Sequence, residues 1–140
     1  KETELVLLIK EFNFIKDYTF LMGIRYGEHL NINISLKGNI LSNKYLPPFT
    51  LQTLIENAVK HNIIDDEQRL FIKIYSDDKD YIVVENNLLS KPKNLASTKI
   101  GFENLESRYR FLSTKKIIVV KTEEIFTVKV PLLDITEEKL

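Results

Sequence analysis

The residues of this chain that could carry out chemistry cluster on one side of a short helix. Apolar residues recur at helical spacing over residues 49–61 and form one face. Asn57 and His61 are four residues apart on one flank of that face, and Glu56 and Lys60 are four apart on the other. A carboxylate, an amide, an ammonium group and an imidazole therefore lie within two helical turns.

Each of these groups suits a site that handles phosphate. The amide oxygen of Asn57 is the kind of hard donor that Mg²⁺ takes. The ammonium group of Lys60 could neutralise phosphate, and the carboxylate of Glu56 could polarise a water or a hydroxyl group. The alternative is a solvated polar face with one ion pair. The spacing of the residues, taken alone, favours this simpler interpretation.

The composition narrows the possible functions. The chain has 140 residues, with 20 basic and 20 acidic side chains and a formal net charge of zero. No overall field draws it to nucleic acid, and we expect no nucleic-acid partner. It has no cysteine and only two histidines, which excludes disulfides and thiolate metal sites and argues against a zinc site. Because the first residue is Lys1, we expect the chain to be part of a longer protein.

The periodicity of apolar residues predicts three helices and five strands around one core. The helices are predicted over residues 2–22, 49–61 and 101–112. The strands are predicted over residues 29–36, 69–76, 79–85, 116–121 and 124–132. The first helix carries a seam of residues spaced by three and four, namely Leu5, Leu8, Phe12, Ile15, Thr19 and Met22.

Two connections have no helical or strand periodicity. A turn at residues 37–39 is expected to lead through a short extended stretch to Pro47, and residues 86–100 are expected to form a loop. The order of elements predicts an α+β fold, a two-layer sandwich of a mixed, mostly antiparallel sheet with helices on one face.

The polar helix also matches a known motif. Residues 56–61 read Glu-Asn-Ala-Val-Lys-His and follow Pro47-Pro48 and Leu51-Gln52. This segment resembles the N-box of the Bergerat-fold (GHKL) ATPases. More narrowly, it resembles the ATP-binding domain of sensor histidine kinases of the autolysis-regulator type. Asn62 stands where that family typically has glycine.

Two further segments are similar to motifs of this family. Residues 100–105 and Arg108-Tyr109 resemble its glycine-containing box, and the resemblance implies that Gly101 and Phe102 shape a lid and that Asn104 contacts nucleotide. Asn86 stands where the superfamily has an aspartate that binds adenine. An asparagine there loses the charge of that hydrogen bond, so we expect weaker binding. Lys99 replaces a glycine and could add positive charge near the phosphates.

The resemblance covers essentially the whole chain, since Leu8, Glu11, Ile15 and Tyr18 also match an early family pattern. It implies an N-terminal helix over residues 1–25, which would be the last part of a dimerisation or linker region. An ATP-binding domain over residues 26–133 and a charged tail over residues 134–140 would follow.

The resemblance implies the catalytic domain of a histidine kinase, with ATP and Mg²⁺ as cofactors. Asn57 would hold the metal, Glu56 would act as the acid/base or water-orienting group, and Lys60 and His61 would contact phosphate. Asn86 would bind adenine.

The phosphoryl group would pass to a histidine on an upstream helical segment absent from this chain. The resemblance further implies a LytTR-type response regulator as partner, a homodimer, and a cytoplasmic location within a membrane-anchored sensor. The alternative is a degenerate module of the same fold that serves interaction or dimerisation, with weak or no nucleotide binding.

Overall fold

The structure is a computed structural model that describes residues 4–60, 62, 67–89 and 98–135, and the side chains within these ranges except those of residues 98–102. Its helices are α1 (Leu8–Tyr26), α2 (Gly38–Asn43), α3 (Thr50–Lys60) and α4 (Thr98–Arg110), with a short 3-10 turn at Gly27–His29. Its strands are β1 (Val6–Leu7), β2 (Leu30–Ser35), β3 (Tyr45–Leu46), β4 (Leu70–Ser76), β5 (Tyr81–Asn87), β6 (Ile118–Lys121) and β7 (Ile125–Pro131). None of the described helices has the length and apolar character needed to cross a membrane.

Five strands form the main sheet, in the order β2-β4-β5-β7-β6. Strand β2 pairs in parallel with β4, and every other pair in this sheet is antiparallel. The register places Ile74 opposite Val84 and Val84 opposite Val128, so apolar side chains line up across the sheet on one face. The predicted α+β architecture with a mixed, mostly antiparallel sheet is confirmed.

Helices α1, α3 and α4 cover that apolar face. Their wholly or nearly wholly buried side chains include Leu8 and Ile15 of α1, Leu51 and Ile55 of α3, and Leu105 of α4. They pack into one continuous core with the inward residues of the strands. The predicted seam of α1 points inward, since its helical members Phe12, Thr19 and Met22 are also partly buried.

The start of the chain differs from the prediction of a helix over residues 2–22. Among the described residues, Val6 and Leu7 form a strand that pairs with β3, and the helix runs from Leu8 to Tyr26. The backbone N–H of Leu8 donates to the carbonyl of Lys44 at 2.8 Å. This pairing with a distant segment keeps Val6 and Leu7 extended, although their side chains fit a helical pattern.

Other boundaries also differ from the prediction. Strand β5 runs to Asn87, so Asn86 lies in a strand and not in the loop predicted over residues 86–100. The stretch before Pro47 contains helix α2 rather than only extended chain, because Ile40 and Leu41 turn inward to pack on the core. Helix α4 begins at Thr98, three residues before Gly101. A glycine inside a helix costs only about 1 kcal/mol, which does not force the helix to start at it.

Candidate functional site

A buried carboxylate from α1 holds the beginning of α3. The Oε2 atom of Glu11 accepts the backbone N–H of Phe49 at 2.8 Å, and its Oε1 atom accepts that of Leu51 at 3.1 Å. Glu11 is only 6% exposed. The first N–H groups of a helix have no partner within the helix and carry partial positive charge. Glu11 therefore caps α3 from a different helix.

The cap also involves a strained residue and helix α4. Phe49 has a φ angle of 67°, a left-handed conformation that costs a non-glycine residue of order 1–3 kcal/mol. The Nη1 atom of Arg108 donates to the carbonyl of Pro48 at 2.9 Å. Burial raises the pKa of Glu11, and the backbone hydrogen bonds at the start of α3 and the nearby Arg108 charge oppose that rise without cancelling it. These contacts join α1, α3 and α4.

The carboxylate of Glu56 is held by two donors. The Nε2 atom of Gln52, one turn earlier on α3, donates to its Oε2 atom at 2.8 Å. The hydroxyl group of Tyr18 on α1 donates to the same oxygen at 3.4 Å. Burial, followed by the negative charge of Glu56, raises the pKa of Tyr18 to about 12, so the phenol stays a proton donor. Glu56 itself is exposed, and its oriented carboxylate faces solvent.

Asn57 is half-buried next to Glu56, and the structure leaves part of its amide free. Its Nδ2 atom is buried and has no hydrogen-bond partner among the described residues. The two ends of an amide are assigned from the hydrogen bonds they make, so an amide whose nitrogen has no partner is not tied to one orientation and its oxygen is available for a ligand. The residue therefore fits the oxygen donor that Mg²⁺ would need.

The end of α3 carries the remaining motif residues. Lys60 is its last residue and is exposed, as a group that contacts a soluble phosphate must be. His61 lies outside the described residues. Asn62 bridges two elements: its Nδ2 atom donates to the carbonyl of Ala58 at 2.7 Å, and its Oδ1 atom accepts the N–H of Leu89 at 3.0 Å.

Asn86 lies on the helix-covered face of the sheet, in register between Ile72 of β4 and Phe126 of β7. It is 4% exposed, and its Nδ2 atom donates to the carbonyl of Asn87 at 2.7 Å. Because side chains alternate along a strand, Asn86 shares its face with Ile82 and Val84, against which α3 packs.

The glycine-containing segment is described more sparsely. Lys99, Gly101 and Phe102 lie in the first two turns of α4, and their side chains are outside the described part. Gly101 was expected at the start of this helix, but it lies inside it. Asn104 is exposed on the same helix. Helix α4 packs against α3, so both motif segments belong to adjacent elements.

The structure adds functional candidates that residue spacing did not reveal. Glu11, Tyr18 and Arg108 were noted only as matches to a family pattern, and the structure connects them to the two ends of one motif. Arg108 lies in the last turn of α4, and its side chain is half-buried and hydrogen-bonded. The spacing carried no signal for these roles, because each partner lies 38 or more residues away.

Comparison with known proteins agrees with this geometry. Over 63 residues the chain is 36% identical to the sensor histidine kinase/phosphatase LytS of Staphylococcus aureus, strain MRSA252. Over 61 residues it is 36% identical to the sensor histidine kinase BtsS of Escherichia coli, strain K12. These matches cover 45% and 44% of this chain but only 11% of either relative. No family model matches the chain.

Solved structures extend the likeness over nearly the whole chain. The cytoplasmic segment of histidine kinase QseC superposes with a TM-score of 0.60 at 12% identity, covering 96% of this chain and 80% of that one. The catalytic domain of histidine kinase ThkA superposes with a TM-score of 0.54 at 15% identity, covering 94% and 96%. The chain has the fold of a histidine kinase catalytic domain. The resemblance to sensor histidine kinases of the autolysis-regulator type is confirmed by the partial sequence match to LytS.

Proposed function

We propose that this histidine kinase-like domain binds ATP with Mg²⁺ and supplies the γ-phosphoryl group to a histidine outside the chain. The observation that carries the proposal is the geometry of α3, where adjacent residues provide the carboxylate of Glu56, held by two donors, and the amide of Asn57, whose nitrogen has no partner among the described residues.

Each polar residue at the end of α3 would have a separate role in phosphoryl transfer. Mg²⁺, when bound, supplies positive charge to the phosphates, and Asn57 would hold it through its amide oxygen. Lys60 and His61 would contact phosphate. Glu56 would orient the acceptor histidine or accept its proton, while Tyr18 and Gln52 keep its carboxylate in one position. Phosphoryl transfer depends mainly on such positioning and on charge neutralisation.

The other motif residues would complete the nucleotide site. Asn86 would bind adenine from the buried face of the sheet, where water is excluded. Lys99, Gly101, Phe102 and Asn104 would line the phosphate end from α4. These assignments are supported by the family resemblance and by the packing of α4 against α3.

The partners follow from the same proposal. The acceptor histidine would lie on an upstream helical domain that leads into α1, in a homodimeric, membrane-anchored sensor whose catalytic domain is cytoplasmic. A LytTR-type response regulator would receive the phosphoryl group. This proposal is supported by the likeness to sensor kinases. The chain spans about a tenth of the length of the curated relatives it matches.

Phosphorylation of the full-length protein tests the proposal. Incubation with γ-labelled ATP and Mg²⁺ should give an acid-labile, alkali-stable phosphoprotein, the behaviour of phosphohistidine. Glu56→Gln should abolish most of the label, because general acid–base groups typically contribute about 10²–10⁴-fold in rate. Glu106→Gln, at an exposed position on α4, is the matched control and should retain the label. Equal labelling of both variants would contradict the role of Glu56.

A further inference from the structure

The end of strand β5 is fastened to its neighbours on both sides. Asn87 accepts the N–H of Phe71 at 2.7 Å through its Oδ1 atom and donates to the carbonyl of Arg69 at 3.0 Å through its Nδ2 atom. The N–H of Leu88 donates to the carbonyl of Glu124, in the turn between β6 and β7, at 2.9 Å. The backbone beyond β5 therefore starts from a fixed point.

Asn62 adds a third attachment, from the end of α3. Its amide oxygen holds the N–H of Leu89, and its amide nitrogen holds the carbonyl of Ala58 in the last turn of the helix. Leu89 is also partly buried against the core. One side chain thus satisfies a helix-terminal carbonyl and a strand-terminal N–H together. Glycine, the residue typical of the family at this position, has no side chain and could make neither bond.

We propose that Asn62 is a positioning residue for the adenine side of the nucleotide site, a role that rests on the proposed function. Asn86 lies three residues before Leu89 on the same backbone, and Asn57 lies on α3, whose last turn holds the other end of the Asn62 side chain. The Asn62 bridge fixes these two binding elements relative to each other. Because Asn86 lacks the charge of an aspartate, its bond to adenine is weaker, and affinity depends more on a preorganised site.

Three variants of the chain separate this role from a general effect on folding. Asn62→Gly removes both bonds, whereas Asn62→Asp keeps the acceptor for Leu89 and loses the donor to Ala58. Asn43→Gly makes the same replacement at the exposed end of α2 and serves as the matched control. Amide hydrogen exchange at Leu89 reports the bridge, and calorimetric titration with Mg²⁺ and ADP reports binding.

In Asn62→Gly we expect exchange at Leu89 to accelerate about fivefold, the factor that one typical hydrogen bond contributes. Affinity for ADP should fall by a similar factor of about five, because the adenine side is no longer held in place. Asn62→Asp should restore slow exchange at Leu89 and most of the affinity, and Asn43→Gly should change neither.

Two results would overturn the assignment while the proposed function stands. One is unchanged exchange at Leu89 in Asn62→Gly, and the other is faster exchange with unchanged ADP affinity. If the folded, unaltered chain binds no nucleotide, the proposed function itself fails and the assignment of Asn62 fails with it.

Discussion

Removing the Glu11 carboxylate should destabilise the whole domain, because it leaves the start of α3 without its cap. In Glu11→Ala the N–H groups of Phe49 and Leu51 lose their acceptors in a region from which water is largely excluded. The strained φ angle of Phe49 also loses one of the contacts that hold it.

The expected loss in the free energy of unfolding follows from the two lost hydrogen bonds and from one compensating gain. A buried donor left without an acceptor costs about 1–3 kcal/mol, so two N–H groups give about 2–6 kcal/mol. Part of this loss is offset because the variant no longer buries a carboxylate, and that burial is what raises the pKa of Glu11. We expect a net loss of about 3 kcal/mol, which lowers the Tm of a domain of this size by about 10 °C.

Urea unfolding followed by far-ultraviolet circular dichroism measures this loss, since the chain has no tryptophan to serve as a fluorescence probe. Asp17→Ala removes an exposed acid from the same helix and is the matched control, expected to stay within about 0.5 kcal/mol of the unaltered chain. A Glu11→Ala variant as stable as this control would refute the capping role.

Three further variants test the charge of the cap and two other hydrogen bonds. Because burial raises the pKa of Glu11, ionisation costs stability as pH rises from 4.5, so the unaltered chain should lose stability relative to Glu11→Gln between that pH and neutrality. A stability difference that does not change with pH would contradict this sign. Tyr109→Phe should cost about 1–2 kcal/mol in urea unfolding, since its buried hydroxyl donates to the carbonyl of Pro131 at 2.8 Å. Tyr18→Phe in the full-length protein should slow phosphorylation about fivefold and leave nucleotide affinity unchanged, because it removes only one donor to Glu56; an effect on affinity alone would argue against it.

The main sheet could be predicted from the sequence because its strands combine residues of high strand propensity with clear turn signals between them. Residues 29–36 alternate polar and apolar side chains at every position, which is long enough to indicate a strand. Residues 70–76 and 81–87 are rich in aliphatic and aromatic residues and flank the Asp77-Asp78 turn, which is typical of a hairpin. Helix α2 has only six residues, too few for a helical period to show, and its formation depends on Ile40 and Leu41 reaching the core.

The candidate site could be located from its motif, but the way it is held could not. Residue types and spacing on α3 pointed to Glu56 and Asn57, and these remain the proposed catalytic and metal-binding groups. The partners of Glu11 and Asn62 lie 38 and 27 residues away along the chain. Only the packing of α1 and β5 against α3 brings them into hydrogen-bond distance, and local periodicity carries no information on that packing.

Calorimetric titration of the folded chain with a non-hydrolysable ATP analogue, with and without Mg²⁺, tests the central claim most directly. We predict saturable binding that strengthens with Mg²⁺ in the unaltered chain, and a loss of that strengthening in Asn57→Ala. No heat at millimolar ligand, or a Mg²⁺ effect that survives in Asn57→Ala, would contradict a metal–nucleotide site on α3.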